Sequence, residues 1–214
     1  MKVLAVIPAR GGSKRVPRKN VRMVAGRPLI EWTISQALEC KSITKVVVSS
    51  EDEEILEISG KMVETIKRPA NLAEDQVSSL AAVQHALTLH DADFVVLLQP
   101  TSPLRSVTDI ENALYISKKH GRPCVSVTLV KGKPDIFYAI DFRGEICEPQ
   151  QAIYRLNGAV YVSPVKEFKS YGDFILPATK AHNMPEERSL DIDTEEQLAA
   201  AHEALERKLY EMVM

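Results

Sequence analysis

Five basic residues surround a pair of glycines near the amino terminus, and this combination could bind a polyphosphate. An apolar run over residues 3–9 leads to Gly11 and Gly12, whose backbone can approach a ligand closely or adopt positive φ. A bend there can turn several N–H groups towards one anion. The cations that would share this site are Arg10, Lys14, Arg15, Arg18 and Lys19.

The spacing of the glycines matches neither of two common phosphate-binding motifs. The P-loop requires Gly-x-x-x-x-Gly-Lys-Ser/Thr, and the dinucleotide fingerprint requires Gly-x-Gly-x-x-Gly. The same residues would also suit a solvated basic turn after an edge strand. This segment alone therefore leaves both interpretations open.

A pair of carboxylates near the other end of the chain could bind a divalent cation. Asp191 and Asp193 flank one apolar residue, and in an extended segment this alternation points both side chains the same way. Mg²⁺ prefers one or two protein carboxylates together with waters and phosphate oxygens. The alternative is that Asp193 only stabilises the amino terminus of the following helix. A metal site for Mg²⁺, which Mn²⁺ could also occupy, is predicted if the two ends of the chain meet.

Strands and helices alternate along most of the chain, which predicts an α/β fold with a mostly parallel central sheet flanked by helices. Residues 94–98 are apolar on both faces, as a central strand covered by helices is. All residues from 1 to 214 are expected to form one domain. Strands are predicted at 3–9, 45–49, 62–66, 94–98, 124–130, 154–162 and 174–176. Helices are predicted at 27–38, 51–59, 78–87, 108–119 and 195–210.

Two sequence features place polar groups at the ends of these elements. Open α/β sheets bind ligands at the carboxyl ends of their strands, where the predicted strands put Ser49, Ser50 and Gln99. Three helix starts also carry sequences typical of capping boxes. The paired residues are Ser50 with Glu53, Thr108 with Glu111, and Thr194 with Gln197.

Composition excludes several classes of partner. The 27 basic and 29 acidic residues give a formal charge of −2, which offers no overall field for nucleic acid or an anionic membrane. No apolar run approaches the roughly 20 residues that span a bilayer. Cys40, Cys124 and Cys147 form neither a zinc nor a disulfide pattern. A cytoplasmic protein with no nucleic-acid or membrane partner is expected.

The regular alternation of strands and helices breaks down between residues 131 and 152. Glycines and prolines there punctuate a segment rich in Phe, Tyr and Ile, which predicts a small β excursion from the core. An exposed apolar hairpin often finds a partner surface, so we expect residues 131–152 to support a homodimer. The alternative is a hairpin that packs on its own domain.

Six motifs, taken together, resemble the acylneuraminate cytidylyltransferase family, the CMP-sialic acid synthetases. They occur in the family's order over nearly the whole chain, from the first strand to residue 194. The motifs are Ile7-Pro8-Ala9-Arg10-Gly11-Gly12-Ser13-Lys14-Arg15 with Lys19-Asn20, Arg68-Pro69 with Leu72-Ala73-x-Asp75, Ser78-Ser79, Leu98-Gln99-Pro100-Thr101-Ser102-Pro103-Leu104-Arg105, Asn157-Gly158-Ala159, and Asp191-Ile192-Asp193-Thr194.

The resemblance implies a Rossmann-like nucleotidyltransferase fold and an enzyme that joins CTP to a nonulosonic acid, releasing pyrophosphate. Arg10, Lys19, Asp191 and Asp193 would then be catalytic, with the two aspartates holding the metal. Nucleotide contacts are implied for Arg10, Gly11, Gly12, Ser13, Lys14, Lys19, Asn20, Arg68, Ser78, Ser79 and Gln99. Sugar contacts are implied for Gln99 and Asn157, and Arg155 is a further candidate because an acid sugar needs a cation for its carboxylate.

The segment before Asn157 departs from the family pattern at the sugar site. The family has a basic, glutamine-rich stretch there, whereas residues 148–155 offer arginine only at Arg155. Lys131 or Lys133 could supply another cation for the sugar carboxylate. N-acetylneuraminate is the expected sugar, with legionaminate, pseudaminate and octulosonate as alternatives. Two further hypotheses are a transferase using another nucleotide with a sugar phosphate, and an inactive nucleotide-binding or assembly protein.

Overall fold

A central sheet of seven strands organises the protein. The structure, a computed structural model, describes residues 1–69, 72, 78–130, 139–140, 146–147 and 153–213. The strands are β1 (Val3–Pro8), β2 (Met23–Val24), β3 (Arg27–Pro28), β4 (Lys45–Ser50), β5 (Glu64–Lys67), β6 (Phe94–Leu97), β7 (Cys124–Leu129), β8 (Ala139–Ile140), β9 (Ile146–Cys147), β10 (Tyr154–Pro164) and β11 (Lys180–Asn183). The helices are α1 (Leu29–Glu39), α2 (Glu53–Gly60), α3 (Ser79–Leu89), α4 (Val107–His120), α5 (Val165–Tyr171) and α6 (Glu195–Val213).

The strand order across the sheet is β11-β7-β10-β6-β1-β4-β5. Parallel pairs join β1 to β4 and β6, β4 to β5, and β7 to β11. Strand β10 runs antiparallel between β6 and β7. The mostly parallel sheet expected from the alternating pattern is therefore confirmed, and the carboxyl ends of β1, β4, β5 and β6 lie at one edge.

Each face of the sheet buries its own hydrophobic layer, because successive side chains of a strand point to opposite faces. Val3, Ala5 and Ile7 of β1 pack in the layer that α1 and α4 cover. The intervening Leu4 and Val6 pack in the layer that α3 and α5 cover. Burial on both faces explains why these strands are apolar throughout rather than alternating.

A third apolar cluster brings the carboxyl-terminal region to the amino-terminal loop. Leu198 and Leu205 of α6 pack with Val24 and Trp32, beside the hairpin formed by β2 and β3. Trp32 also donates a hydrogen bond from Nε1 to the Val24 carbonyl at 2.9 Å. The segment just before α6 is therefore held against the same part of the fold as the basic loop.

One predicted strand is wrong. Residues 174–176 form no ladder, because the Asp173 carboxylate accepts hydrogen bonds from the N–H groups of Phe174 and Ile175 at 2.6 and 3.0 Å. The Phe174 ring instead packs on Phe168 of α5, with ring centroids 4.8 Å apart. The edge strand is β11, which follows a few residues later and pairs with β7.

The capping predictions had mixed outcomes. The Thr194–Gln197 box is confirmed, since Gln197 Oε1 accepts from the Thr194 N–H at 2.9 Å and Thr194 Oγ1 accepts from the Gln197 N–H at 3.3 Å. The other two boxes are wrong by two residues each. Asp52 caps α2 in place of Ser50, and Ser106 forms a capping box with Asp109 at α4 in place of Thr108 with Glu111.

A buried carboxylate network ties α4 to the segment that precedes the aspartate pair. Asp109 is 1% exposed and accepts two hydrogen bonds from Arg188, at 2.9 and 3.0 Å. His182 Nε2 lies 3.1 Å from the same carboxylate, and Ser106 donates to it at 2.7 Å. Burial favours a higher pKa for Asp109, but the hydrogen bonds from His182, Arg188 and Ser106 outweigh it and hold the pKa well below its usual range.

We expect Asp109→Asn to lower the free energy of unfolding at pH 7 by about 2 kcal/mol, because it removes the buried negative charge that Arg188 and Ser106 bond. The pKa of Asp109 is depressed in the folded state, so its stabilisation is fully present above roughly pH 4 and declines progressively as pH falls from there towards the folded-state pKa. Urea unfolding at pH 7 and pH 3 should show the two proteins converging in acid. Asp91→Asn, at an exposed position, is the control. An equal deficit at both pH values would contradict this account.

The predicted excursion is described only in part. Strands β8 and β9 within it pair antiparallel. Lys131 and Lys133, the two candidate sugar cations, lie outside the described residues, as do Ala73 and Asp75 of the family motifs. Within the described ranges, no helix is long and apolar enough to cross a membrane.

Candidate active site

A cleft of about 280 Å³ opens at the sheet edge where the parallel strands end. It collects residues from both termini of the chain and from the ends of β1 and β5. Its lining residues are Pro8, Arg10, Ser13, Lys19, Asn20, Arg68, Ser79, Gln99, Pro100, Thr101, Asp191 and Asp193. The basic loop and the aspartate pair, separated by most of the sequence, therefore face one space.

The basic loop is folded back on itself and against α2. Asn20 is 5% exposed and donates from Nδ2 to the Arg10 carbonyl at 2.9 Å, which closes the loop. Arg18 adopts the left-handed conformation, with φ of 57°, just before the short 3-10 turn at Lys19–Val21. A side chain at Gly11 would overlap the Asp52 carboxylate, so glycine is required there by close approach. Gly12 has open space around its Cα.

The loop cations have different partners. Arg18 pairs with Asp52 and Glu54 at the start of α2, away from the cleft lining. Arg15 Nη1 lies 3.2 Å from Asp193 Oδ2. Lys19 Nζ donates to the Ile192 carbonyl and lies 3.5 Å from Asp193 Oδ1. Positive charge from the amino-terminal loop is thus already directed at the carboxyl-terminal aspartates.

Arg68 and Ser79 line the other end of the cleft. Arg68 follows β5, and its N–H donates to the Ser50 carbonyl at 2.8 Å. Its side chain is 4% exposed and pairs with Glu51, with 2.9 Å between Nη2 and Oε2. Ser79 begins α3, whereas the neighbouring Ser78 is exposed and is absent from the cleft lining.

The aspartate pair is held by the residue between its members. Ile192 is completely buried, and its N–H donates to the Thr101 carbonyl at 2.8 Å. This anchor leaves both neighbouring carboxylates on the cleft. Burial raises the pKa of Asp191, and the negative charge of Asp193 raises it further, while Thr101, Lys19 and Arg105 oppose the shift.

Two carboxylates of like charge facing one cleft fit a divalent cation. Within the described residues, no group of three or more His, Cys, Asp or Glu side chains is placed to hold a metal. Mg²⁺ does not need such a group, because it commonly takes one or two carboxylates and completes its shell with water and phosphate oxygens. The donor set is therefore suited to Mg²⁺ bound together with a phosphorylated substrate.

Gly158 explains how Gln99 and Asp191 can occupy the same part of the cleft. This glycine has φ of +74°, and a Cβ there would lie 3.0 Å from Gln99 Oε1 and 3.2 Å from Asp191 Oδ2. Any larger residue would strain the backbone and push on both side chains. The strand β10 register also shifts between Leu156 and Tyr161, as at a bulge.

A buried arginine bonds to the backbone of one of the residues that line the cleft. Arg105 is completely buried, and its guanidinium donates to the Gln99 carbonyl and to Thr33 Oγ1, the latter at 3.3 Å. Burial lowers the pKa of Arg105 to about 9, against the opposing charges of Asp109 and Asp191. It stays cationic at neutral pH and lends positive charge beneath the aspartate pair.

The structure does not bring every predicted residue to the cleft. Asn157 is 1% exposed, and its amide is engaged by Ser126 Oγ at 2.6 Å and Ser189 Oγ at 2.9 Å. Arg155 is exposed on β10, opposite Thr128 of β7. Gly11, Gly12 and Lys14 belong to the basic loop without being among the lining residues. Their proposed ligand contacts stay predictions.

Some residues at the cleft were missed by sequence reasoning. Thr101 and Pro100 lie in the lining, within a motif from which only Gln99 was assigned a role. Both follow the carboxyl end of β6, so the rule that ligands bind at strand ends could have found them.

The parallel sheet with a basic loop after β1 and a cleft at the strand ends defines a nucleotide-binding α/β protein. Residues 4–160 match the family model described as cytidylyltransferase. The chain belongs to the cytidylyltransferase family and is a nucleotidyltransferase enzyme.

Individual relatives agree with this assignment. The chain is 35% identical over 213 residues to CMP-N,N'-diacetyllegionaminic acid synthase of Legionella pneumophila, covering 91% of this chain and 92% of that protein. It is 33% identical to N-acylneuraminate cytidylyltransferase of Escherichia coli over 90% of this chain, but it spans only 49% of that protein. The fold resembles a solved structure of CMP:2-keto-3-deoxy-manno-octonic acid synthetase complexed with CTP, with a TM-score of 0.77, 16% identity and coverage of 97% of this chain and 100% of that one.

Proposed function

We propose that the protein transfers CMP from CTP to the anomeric hydroxyl of a nonulosonic acid. The observation that carries this proposal is the convergence of the basic loop and the aspartate pair on one cleft, in a chain of the cytidylyltransferase family. A bond forms between the anomeric oxygen and the α-phosphorus. The bond from that phosphorus to the bridging oxygen breaks, pyrophosphate leaves, and the hydroxyl proton is lost to a base.

The lining residues divide along the cleft into two groups with different tasks. Arg10, Ser13 and Lys19 would bind the triphosphate, where cations and a hydroxyl donor can neutralise the leaving pyrophosphate. Arg68 and Ser79 would contact the base and ribose. This reaction needs little covalent chemistry from the protein, because alignment and charge neutralisation supply most of the rate.

Asp191 and Asp193 would hold Mg²⁺, with Mn²⁺ as a substitute. When bound, the metal would supply positive charge at the phosphoryl oxygens. Lys19 lies beside Asp193 and would keep the carboxylate oriented towards the cleft. Arg105, beneath the same site, holds the Gln99 carbonyl and so fixes the turn that leads to Thr101.

Two sugars deserve the first tests. N-acetylneuraminate is the substrate expected from the sequence motifs. N,N'-diacetyllegionaminate is favoured by a specific observation, since the relative named for it is matched over nearly its whole length. The cation that would bind the sugar carboxylate is proposed to be Arg155, or a lysine of the segment 131–133.

Pyrophosphate release from CTP and Mg²⁺ should occur only when an accepted sugar acid is present. The panel comprises N-acetylneuraminate, diacetyllegionaminate, pseudaminate and 3-deoxy-manno-octulosonate, each with CTP, UTP and GTP. Release with CTP and at least one nine-carbon acid is expected. No release with any acid, despite CTP binding, would favour an inactive binding protein. Preference for UTP or GTP with a sugar phosphate would favour the other transferase hypothesis.

We further propose a cytoplasmic homodimer. Leu129, Tyr154 and Leu156 are 41%, 48% and 44% exposed, and they flank the segment 131–152 that was predicted to dimerise. Exposed apolar side chains next to an apolar excursion support burial against a second copy. A monomeric mass by light scattering would contradict the dimer.

A further inference from the structure

We propose that Glu51 is a positioning residue that couples recognition of the nucleobase to the shape of the triphosphate loop. This inference rests on the proposed function, because it assigns the two ends of the cleft to the base and the triphosphate of CTP. Glu51 is absent from the cleft lining and acts through the residues it holds.

One carboxylate joins the two ends of the site. Glu51 Oε1 accepts the Gly11 N–H at 2.8 Å, and Oε2 accepts from Arg68 Nη2 at 2.9 Å. Gly11 lies in the basic loop after β1, and Arg68 follows β5. Glu51 comes directly after β4, the strand between them in the sheet, so it is placed to reach both.

The loop end of this bridge is tightly packed. Asp52, the next residue, leaves no room for a side chain at Gly11 and accepts the capping hydrogen bond from the Ile55 N–H at 3.1 Å. Glu51 is thus fixed between a glycine in close contact and the first turn of α2. A shift of its carboxylate would move the Gly11 backbone, and with it the loop that carries Ser13.

At the nucleobase side of this bridge, Arg68 presents hydrogen-bond donors to the cleft. The Arg68 side chain is almost fully buried, and among the residues the structure describes its Nε has no hydrogen-bond partner. A buried guanidinium donor of this kind is available to an acceptor on a ligand. Cytosine offers acceptors at O2 and N3, whereas uracil carries a hydrogen on N3. Arg68 held in place by Glu51 would therefore favour cytosine, and an Arg68 free to rotate would discriminate less.

A carboxylate close to a triphosphate is unfavourable unless it is neutralised. Arg68 supplies that neutralisation through an ion pair whose two side chains are 4% and 23% exposed, so water screens their attraction only in part. When the base binds against Arg68, the ion pair between Arg68 and Glu51 therefore stays intact, and Glu51 keeps its hydrogen bond from the Gly11 N–H. A base that displaces Arg68 would release the loop as well.

The test compares the affinities of CTP and UTP for the full chain in the presence of Mg²⁺, measured by calorimetry. Glu51→Gln is expected to reduce the preference for CTP over UTP about tenfold, which is the effect of losing one charge-assisted hydrogen bond. Glu53→Gln is the matched control, because it makes the same change of charge at the same end of the helix. The Glu53 side chain is 75% exposed and pairs with Lys67. The control is expected to keep the preference of the unmodified protein.

The outcomes separate the two proposals. Failure of the unmodified protein to bind CTP would count against the proposed function. The coupling role would be overturned if the unmodified protein prefers CTP but Glu51→Gln weakens the binding of CTP and UTP equally, or changes neither affinity. A purely structural defect has no reason to distinguish the two bases. If Glu51→Gln does not fold, Glu51→Asp gives the same test. It retains the charge but is one methylene too short to reach both partners.

Discussion

Replacing Asp191 by asparagine is expected to reduce turnover by about a thousandfold, since a divalent site contributes several kcal/mol to the transition state. Asparagine has nearly the same shape, but it removes the charge that would attract the metal. Ile192 remains buried and bonded to Thr101, so the segment should keep its position. Initial rates across a Mg²⁺ series, with the accepted sugar and saturating CTP, measure the effect.

A control at an exposed aspartate separates this effect from a general change of charge. Asp91 lies at the opposite end of the sheet from the cleft, so Asp91→Asn should retain the normal rate. The unfolding midpoint of Asp191→Asn should stay close to that of the unmodified protein. A nearly normal rate with unchanged dependence on Mg²⁺ would rule out Asp191 as a metal ligand.

The second large effect is expected at Lys19. Its side chain is 12% exposed, and its ammonium group contacts the Ile192 carbonyl and approaches Asp193. Lys19→Met keeps most of the apolar stem and removes the charge. We expect kcat/KM for CTP to fall about a hundredfold, because a cation desolvated beside a phosphate contributes a few kcal/mol to its binding and neutralisation.

Steady-state kinetics with CTP as the varied substrate measure this loss. Lys61→Met removes a lysine that is 70% exposed and pairs only loosely with Glu57, at 4.0 Å, and should leave kcat/KM unchanged. If Lys19→Met and Lys61→Met behaved alike, the triphosphate role of Lys19 would have to be abandoned.

The sequence indicated the two chemical groups of the site because each is a local pattern. Glycines among cations at residues 10–19 and alternating aspartates at 191 and 193 are readable without any knowledge of the fold. In the structure Arg10 and Lys19 line the same cleft as the two aspartates. The mostly parallel sheet was also predictable, because strands buried on both faces leave continuous apolar runs such as residues 94–98.

The wrongly predicted strand reflects competition between local hydrogen bonds and strand propensity. Residues 174–176 are apolar enough for a strand, but the Asp173 carboxylate accepts from the N–H groups of Phe174 and Ile175, and Thr179 Oγ1 accepts from the N–H of Leu176. The antiparallel course of β10 was not predicted, because strand direction leaves no mark in a local apolar pattern.

The bridging and supporting residues were hidden from sequence analysis for a similar reason. Glu51 looked like an ordinary acidic residue at a helix start, and Arg105 like the end of a motif. Their roles depend on which strand ends are neighbours in the sheet, since Glu51 reaches Gly11 and Arg68 only because β4 lies between β1 and β5.

Local sequence was sufficient for the kinds of group at the site and for the class of fold, because hydrophobic periodicity and residue chemistry act over a few positions. Tertiary structure alone decided how those groups combine. The third apolar cluster, which includes residues of α6, brings Asp191 and Asp193 to the basic loop. Gly158 makes room for Gln99 beside Asp191. Glu51 connects the two ends of the cleft. Each of these contacts joins residues far apart in the chain, so its energy depends on packing that no short segment encodes.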